Sequence, residues 1–138
     1  KYTDTTPATL SPVNTPEVNF PIYSEGAVLI DSSTGKVLYG KNENEKLYPA
    51  STTKILTAIL AIEKCNLTDK ITASNKAIMS IPSGYSNAAI QPGETLTVQE
   101  LLDLFLIHSA NEVGYIFAEH ISGSAENFAT LMNQKAVE

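Results

Sequence analysis

The chain has 138 residues, 43% apolar and 17% charged. That composition excludes collagen-like, coiled-coil and bulk-disordered chains and suits one globular domain burying about two-thirds of its surface. Nine basic residues, all lysine, face fifteen acidic ones for a formal charge of −6. Without arginine forks the chain is poorly equipped to grip phosphates, which argues against nucleic acid as a partner, and an anionic membrane surface repels it. The lone Cys65 allows no internal disulfide and fits no metal spacing, so intracellular and exported chains are equally allowed. No apolar run approaches the roughly 20 residues that span a bilayer. No signal sequence stands at Lys1, and a start there points to a processed or trimmed terminus.

Residues 1–24 carry Pro7, Pro12, Pro16 and Pro21 among many threonines and read as an extended tether, with order beginning near Glu25. Ala27 to Asp31 and Lys36 to Gly40 are β-prone runs around Ser32-Ser33-Thr34-Gly35, a hairpin signal. Ser51 to Lys64 is dense in Ile, Leu and Ala on all sides and predicts a helix buried nearly all round. A short helix is expected over Ser74–Met79 and a loop over residues 80–95, with its Pro82, Gly84, Pro92 and Gly93. Thr97-x-x-Glu100 is a capping-box signature that opens a helix over about Val98 to Ile107. Another helix follows from about Glu112 to His120, and Ser124 caps a last one through Leu131 and Met132. Two strands then a helical block is an unfinished inventory, since a lone hairpin is marginal in water.

Ser51-Thr52-Thr53-Lys54 opens the apolar helix. Positions i and i+3 share a helical face, which brings the Ser51 hydroxyl and the Lys54 amine within reach. A serine alcohol needs a neighbouring base to act as nucleophile. A lysine can serve where burial and the positive end of a helix disfavour its charged form. The Ser51 backbone N–H is also placed to hold a developing oxyanion. The plainer alternative is that Ser51 caps the helix and Lys54 snorkels from it. Ser33-Thr34-Gly35-Lys36 repeats the pattern on the hairpin turn, with no buried helix behind it. Ser109-Ala110-Asn111 falls between two helices, where it presents a hydroxyl and a carboxamide or simply makes a corner.

Together, S-x-x-K at a helix start and S-x-N 58 residues later resemble two of the three motifs of the penicillin-recognising serine enzymes. The stretches AVLIDSSTGKVLYGKNENEKLYPASTTKILTA, IQPGETLTVQELL, HSANEVG and GSAENFATLMNQKA are similar to the low-molecular-mass D-alanyl-D-alanine carboxypeptidases. The resemblance runs from about Glu25 to Glu138. It implies an α/β (α+β) fold of the β-lactamase/transpeptidase kind, an antiparallel sheet flanked by helices, of which residues 25–138 form the N-terminal part.

The resemblance implies that Ser51 attacks the bond between the two D-alanines of a peptidoglycan pentapeptide and becomes acylated, and that Lys54 takes its proton. Ser109 relays a proton towards the leaving D-alanine, and Asn111 holds the substrate amide and helps orient Lys54. β-Lactams would be covalent inhibitors at the same serine. No cofactor or metal is implied, and the setting would be outside the cytoplasmic membrane of a bacterium. The third motif, Lys-Thr-Gly on a later strand, is absent from the chain. A complementary C-terminal segment or second chain is therefore expected to supply it, together with the remaining strands. A non-catalytic binding module and a β-lactamase relative are the rival readings.

The other candidates are weaker. Tyr85-Ser86-Asn87 fits a Y-x-N variant of the second motif but lies in the loop. His108 with Ser109 and Asp103 suggests a triad, but adjacent residues point different ways. His120 reads as a helix-end residue, and two histidines make no zinc site. Cys65 is expected to pack against the helix, the sequon at Asn66 matters little if the source is bacterial, and Glu112 reads as a solvated first-turn carboxylate.

Overall fold

The computed structural model describes residues 21–138, so all but the last four positions of the expected tether lie outside the described residues. The described residues divide into two compact units, 21–48 and Pro49–Glu138.

In the first unit, β1 (Ala27–Ile30) pairs antiparallel with β2 (Val37–Lys41), Ala27 opposite Lys41, with an irregularity between Leu29 and Ile30. Asp31 organises the turn: its Oδ1 accepts from the N–H and hydroxyl groups of both Ser33 and Thr34. Gly35, at φ 70°, closes it in the left-handed region that glycine enters at little cost. Val28, Leu29 and Ile30 remain 50–57% exposed.

The second unit is helical. A 3-10 turn (Ala50–Thr52) leads into α1 (Thr53–Lys64), followed by β3 (Lys70–Thr72), α2 (Asn75–Met79), β4 (Thr95–Thr97), α3 (Val98–Ile107), α4 (Asn111–Ser122) and α5 (Ala125–Lys135). The expected caps are in place. Ser74 and Ser124 accept from the N–H groups of Ala77 and Asn127, and Thr97 and Glu100 form both halves of the capping box. The left-handed Gly123 ends α4.

Helix α4 packs against α1, α2, α3 and α5. Its Val113, Ile116 and Phe117 are buried with Val98, Leu101 and Phe105 of α3 and Ala58 and Ala61 of α1. The rings of Phe105 and Phe117 meet edge to face at 6.1 Å.

Two expectations fail. Four strands are present among the described residues, not two: β3 and β4 form an antiparallel ribbon with Ile71 opposite Leu96. Three-residue strands are too short to show an alternating pattern, and this pair is fastened by a Thr72–Thr95 hydroxyl bond of 2.8 Å. Nor is α1 buried nearly all round. Lys54, Thr57, Ala58, Leu60 and Ala61 are buried, whereas Ile55, Ile59 and Ile62 are 60%, 39% and 56% exposed. Apolar composition says a face can be covered, not that a neighbour covers it.

Candidate active site

Ser51 stands in the middle of the 3-10 turn ahead of α1. The N-cap of α1 is Thr52, whose own hydroxyl donates to the Pro49 carbonyl at 2.6 Å. Ser51 therefore does not spend its hydroxyl on capping. Its Oγ lies 3.4 Å from Lys54 Nζ and 3.3 Å from Ser109 Oγ. Lys54, one turn into α1, is only 9% exposed. Its Nζ donates to Asn111 Oδ1 at 2.9 Å and lies 5.5 Å from the centroid of the Phe105 ring, within cation–π range.

The residues are presented by strained backbone. Ala50, just before Ser51, has φ 48°, and Ser109 has φ 56°. A left-handed non-glycine residue costs about 1–3 kcal/mol, which the surrounding structure must offset. At Ser109 the reward is visible: the kink between α3 and α4 turns its hydroxyl to Ser51 while Asn111 starts α4 facing Lys54.

A neighbouring loop fixes the carboxamide. The Ser86 carbonyl accepts from both the Asn111 backbone N–H, at 3.0 Å, and its Nδ2, at 2.8 Å. With Nδ2 so engaged, Oδ1 is the atom left to face the lysine. Ser86 Oγ in turn donates to the His108 carbonyl at 2.9 Å. The Tyr85-Ser86-Asn87 pattern points to this loop but not to this role, because Ser86 meets Asn111 through a main-chain carbonyl that any residue could supply.

Three of the four expected residues line one cleft, and Ser109 meets it through Ser51. A space of about 590 Å³ is bordered by Ser51, Lys54, Asn111, Tyr85, Phe105 and Met132. Ser51 is exposed at its mouth, so the hydroxyl is reachable from solvent.

The rejected candidates go elsewhere. Ser33 Oγ donates to Asp31 at 2.6 Å. Asn87 folds back onto the Tyr85 carbonyl, so Tyr85-Ser86-Asn87 supports the second motif and does not replace it. Asp103 accepts from Gln99, and Ser109 turns to Ser51, which leaves no triad with His108. Cys65 packs against the core as expected, and burial pushes its thiol pKa up. No group of three metal-ligating side chains exists among the described residues.

One expectation is reversed. Glu112 is not solvated but 1% exposed, its Oε1 accepting from the Ala88 N–H at 2.6 Å. A charged residue in a first helical turn reads as exposed, and its bond to Ala88, 24 residues earlier, is not visible in the local pattern.

Comparison with known proteins gives the family of the chain. The family model described as D-alanyl-D-alanine carboxypeptidase matches residues 12–138. The chain belongs to that family. It is 45% identical over 120 residues to the D-alanyl-D-alanine carboxypeptidase DacF of Bacillus subtilis, covering 83% of this chain and 30% of that one. With DacC of Escherichia coli the identity is 37% over 114 residues, 77% of this chain and 28% of the relative.

Among solved structures, DacD from Francisella tularensis superposes with a TM-score of 0.75 at 28% identity, over 91% of this chain and 31% of that one. Penicillin binding protein 6B from Escherichia coli gives 0.74 at 26%, over 89% and 42%. The mixed α/β fold is thus that of the penicillin-binding proteins, matched over an N-terminal part. The chain spans about 30% of the length of the curated relatives it matches.

Proposed function

We propose that this chain is the nucleophile-bearing part of a serine D-Ala-D-Ala carboxypeptidase that trims peptidoglycan pentapeptides outside the cytoplasmic membrane. The observation that carries the reading is the convergence of Ser51 Oγ, Lys54 Nζ, Ser109 Oγ and Asn111 Oδ1, each within 3.4 Å of another, at the mouth of an open cleft. Ser51 Oγ bonds to the carbonyl carbon of the penultimate D-alanine as its proton passes to Lys54 Nζ. The C–N bond then breaks, and the proton reaches the leaving amine through Ser109. Water attacks the acyl-enzyme and returns a proton to Ser51 Oγ, freeing the shortened peptide. Asn111 holds Lys54 through Oδ1 and steadies the substrate amide. Ser51 stands in the 3-10 turn just ahead of α1, beside the helix start where backbone N–H groups have no intrahelical acceptor and can face an oxyanion.

Residues 25–138 would form part of a larger catalytic domain completed by a segment that carries the Lys-Thr-Gly strand. The half-exposed Val28, Leu29 and Ile30 and the bare Ile55, Ile59 and Ile62 support this, since each group is apolar surface suited to further strands or helices. No helix among the described residues is long and apolar enough to cross a membrane.

The test is acylation by a fluorescent penicillin read as intact mass, on the chain alone and joined to the downstream segment. A Ser51-linked adduct in the completed protein, with release of D-alanine from pentapeptide, is the expected result. A correctly folded completed protein that takes no label would overturn the reading and favour a non-catalytic binding module. Rapid turnover of the β-lactam would favour a β-lactamase.

A further inference from the structure

Glu112 is the one buried side chain among the described residues with an oxygen left unpartnered: Oε2 has no hydrogen-bond partner there, while Oε1 takes the Ala88 N–H. Burying a polar atom without a partner costs free energy that an apolar side chain at the same place would not. Packing alone therefore does not explain a carboxyl group at this position.

The contacts of the neighbouring loop supply an explanation. Ser86 and Ala88 touch the segment from His108 to Glu112 in three places. Ser86 Oγ holds the His108 carbonyl, the Ser86 carbonyl holds Asn111 by two N–H groups, and Ala88 N–H is held by Glu112. Ala89, next to that last contact, sits at φ 58°, so the loop is strained where Glu112 grips it. Remove the grip and the strain favours release of the segment that carries the Ser86 carbonyl.

We infer that Glu112 is a positioning residue: its buried carboxyl group clasps the Ala88 N–H, keeps the Ser86 carbonyl on Asn111, and thereby keeps Asn111 Oδ1 turned to Lys54. The inference rests on the proposed acyl-transfer reading for its consequence but not for its geometry. What matters is an acceptor oxygen at the Oε1 position. Glutamine retains it, alanine removes it, and aspartate withdraws it by one methylene.

Two measurements on the full-length protein test this. Hydrogen exchange of the Asn111 side-chain amide should be slow in wild type and in Glu112→Gln and fast in Glu112→Ala, with the Phe117 backbone amide protected in all three. Acylation by fluorescent penicillin should fall about a hundredfold in Glu112→Ala, the size expected of an approximately 1 Å misplacement, and stay closer to wild type in Glu112→Gln. If Glu112→Ala fails to fold, Glu112→Asp takes its place with the same expected order. Unchanged exchange at Asn111 in the folded acceptor-deficient variant overturns the inference, as does a glutamine variant that behaves like alanine. Absence of acylation in wild type overturns the functional reading alone, and the exchange measurement still decides the positioning role.

Discussion

Serine and lysine three residues apart occur twice in this chain, and the two copies have opposite fates. On the hairpin turn, Ser33 and Lys36 are both exposed, and the Ser33 hydroxyl is consumed by Asp31 at 2.6 Å. At the start of α1, Ser51 keeps its hydroxyl for Lys54 and Ser109, and Lys54 is buried between Asn111 and the Phe105 ring. The four-residue pattern is therefore not the device. Its surroundings are: a 3-10 turn that runs into a helix and brings Ser51 to Lys54, a core that takes up the lysine stem, and a second serine delivered from a distant kink.

Substitutions in pairs would break or sharpen this contrast. Ser51→Ala should abolish acylation by penicillin outright, whereas Ser33→Ala should leave the labelled fraction unchanged. Intact mass reads both. Next in size, Lys54→Ala should keep the fold and slow acylation by about a thousandfold to ten-thousandfold, the upper range for a positioned proton-transfer group. Lys36→Ala should do nothing measurable to it. A Lys54→Ala protein that acylates at the wild-type rate would remove the base from the proposed mechanism. Ser109→Ala should cost less, about a hundredfold in D-alanine release, because solvent can partly replace a relay but not an attacking base.

Much of this was legible in the sequence, for reasons that differ by residue. The capping box at Thr97 and Glu100 and the caps at Ser74 and Ser124 are local chemistry, so their helices begin where expected. The four motif residues were legible because their roles depend on side-chain type at fixed spacing. Three features depended instead on distant chain. β3 and β4 find each other across the intervening α2 and loop. The outward face of α1 is as apolar as its inward face, so only the packed unit tells them apart. Glu112 is buried by a loop some 24 residues earlier, to which it bonds through a backbone N–H that carries no residue signature.

The hairpin copy offers one further test, on pH. Four hydrogen bonds from Ser33 and Thr34, the Ser33 hydroxyl first, hold the Asp31 carboxyl down from 3.8 to about 2. A carboxyl held below its unfolded value stabilises the folded turn in its ionised form. That contribution is full above about pH 4 and is lost as pH falls through about 2. The Asp31 carboxyl carbon signal should therefore titrate near pH 2, with the Ser33 and Thr34 amide signals moving alongside it. Asp31→Ala should erase that transition and loosen the turn while leaving penicillin acylation as it was, because Ser33 takes no part in it. Loss of acylation in a folded Asp31→Ala protein would instead tie the hairpin turn to the chemistry, and the separation of the two serine–lysine copies would fail.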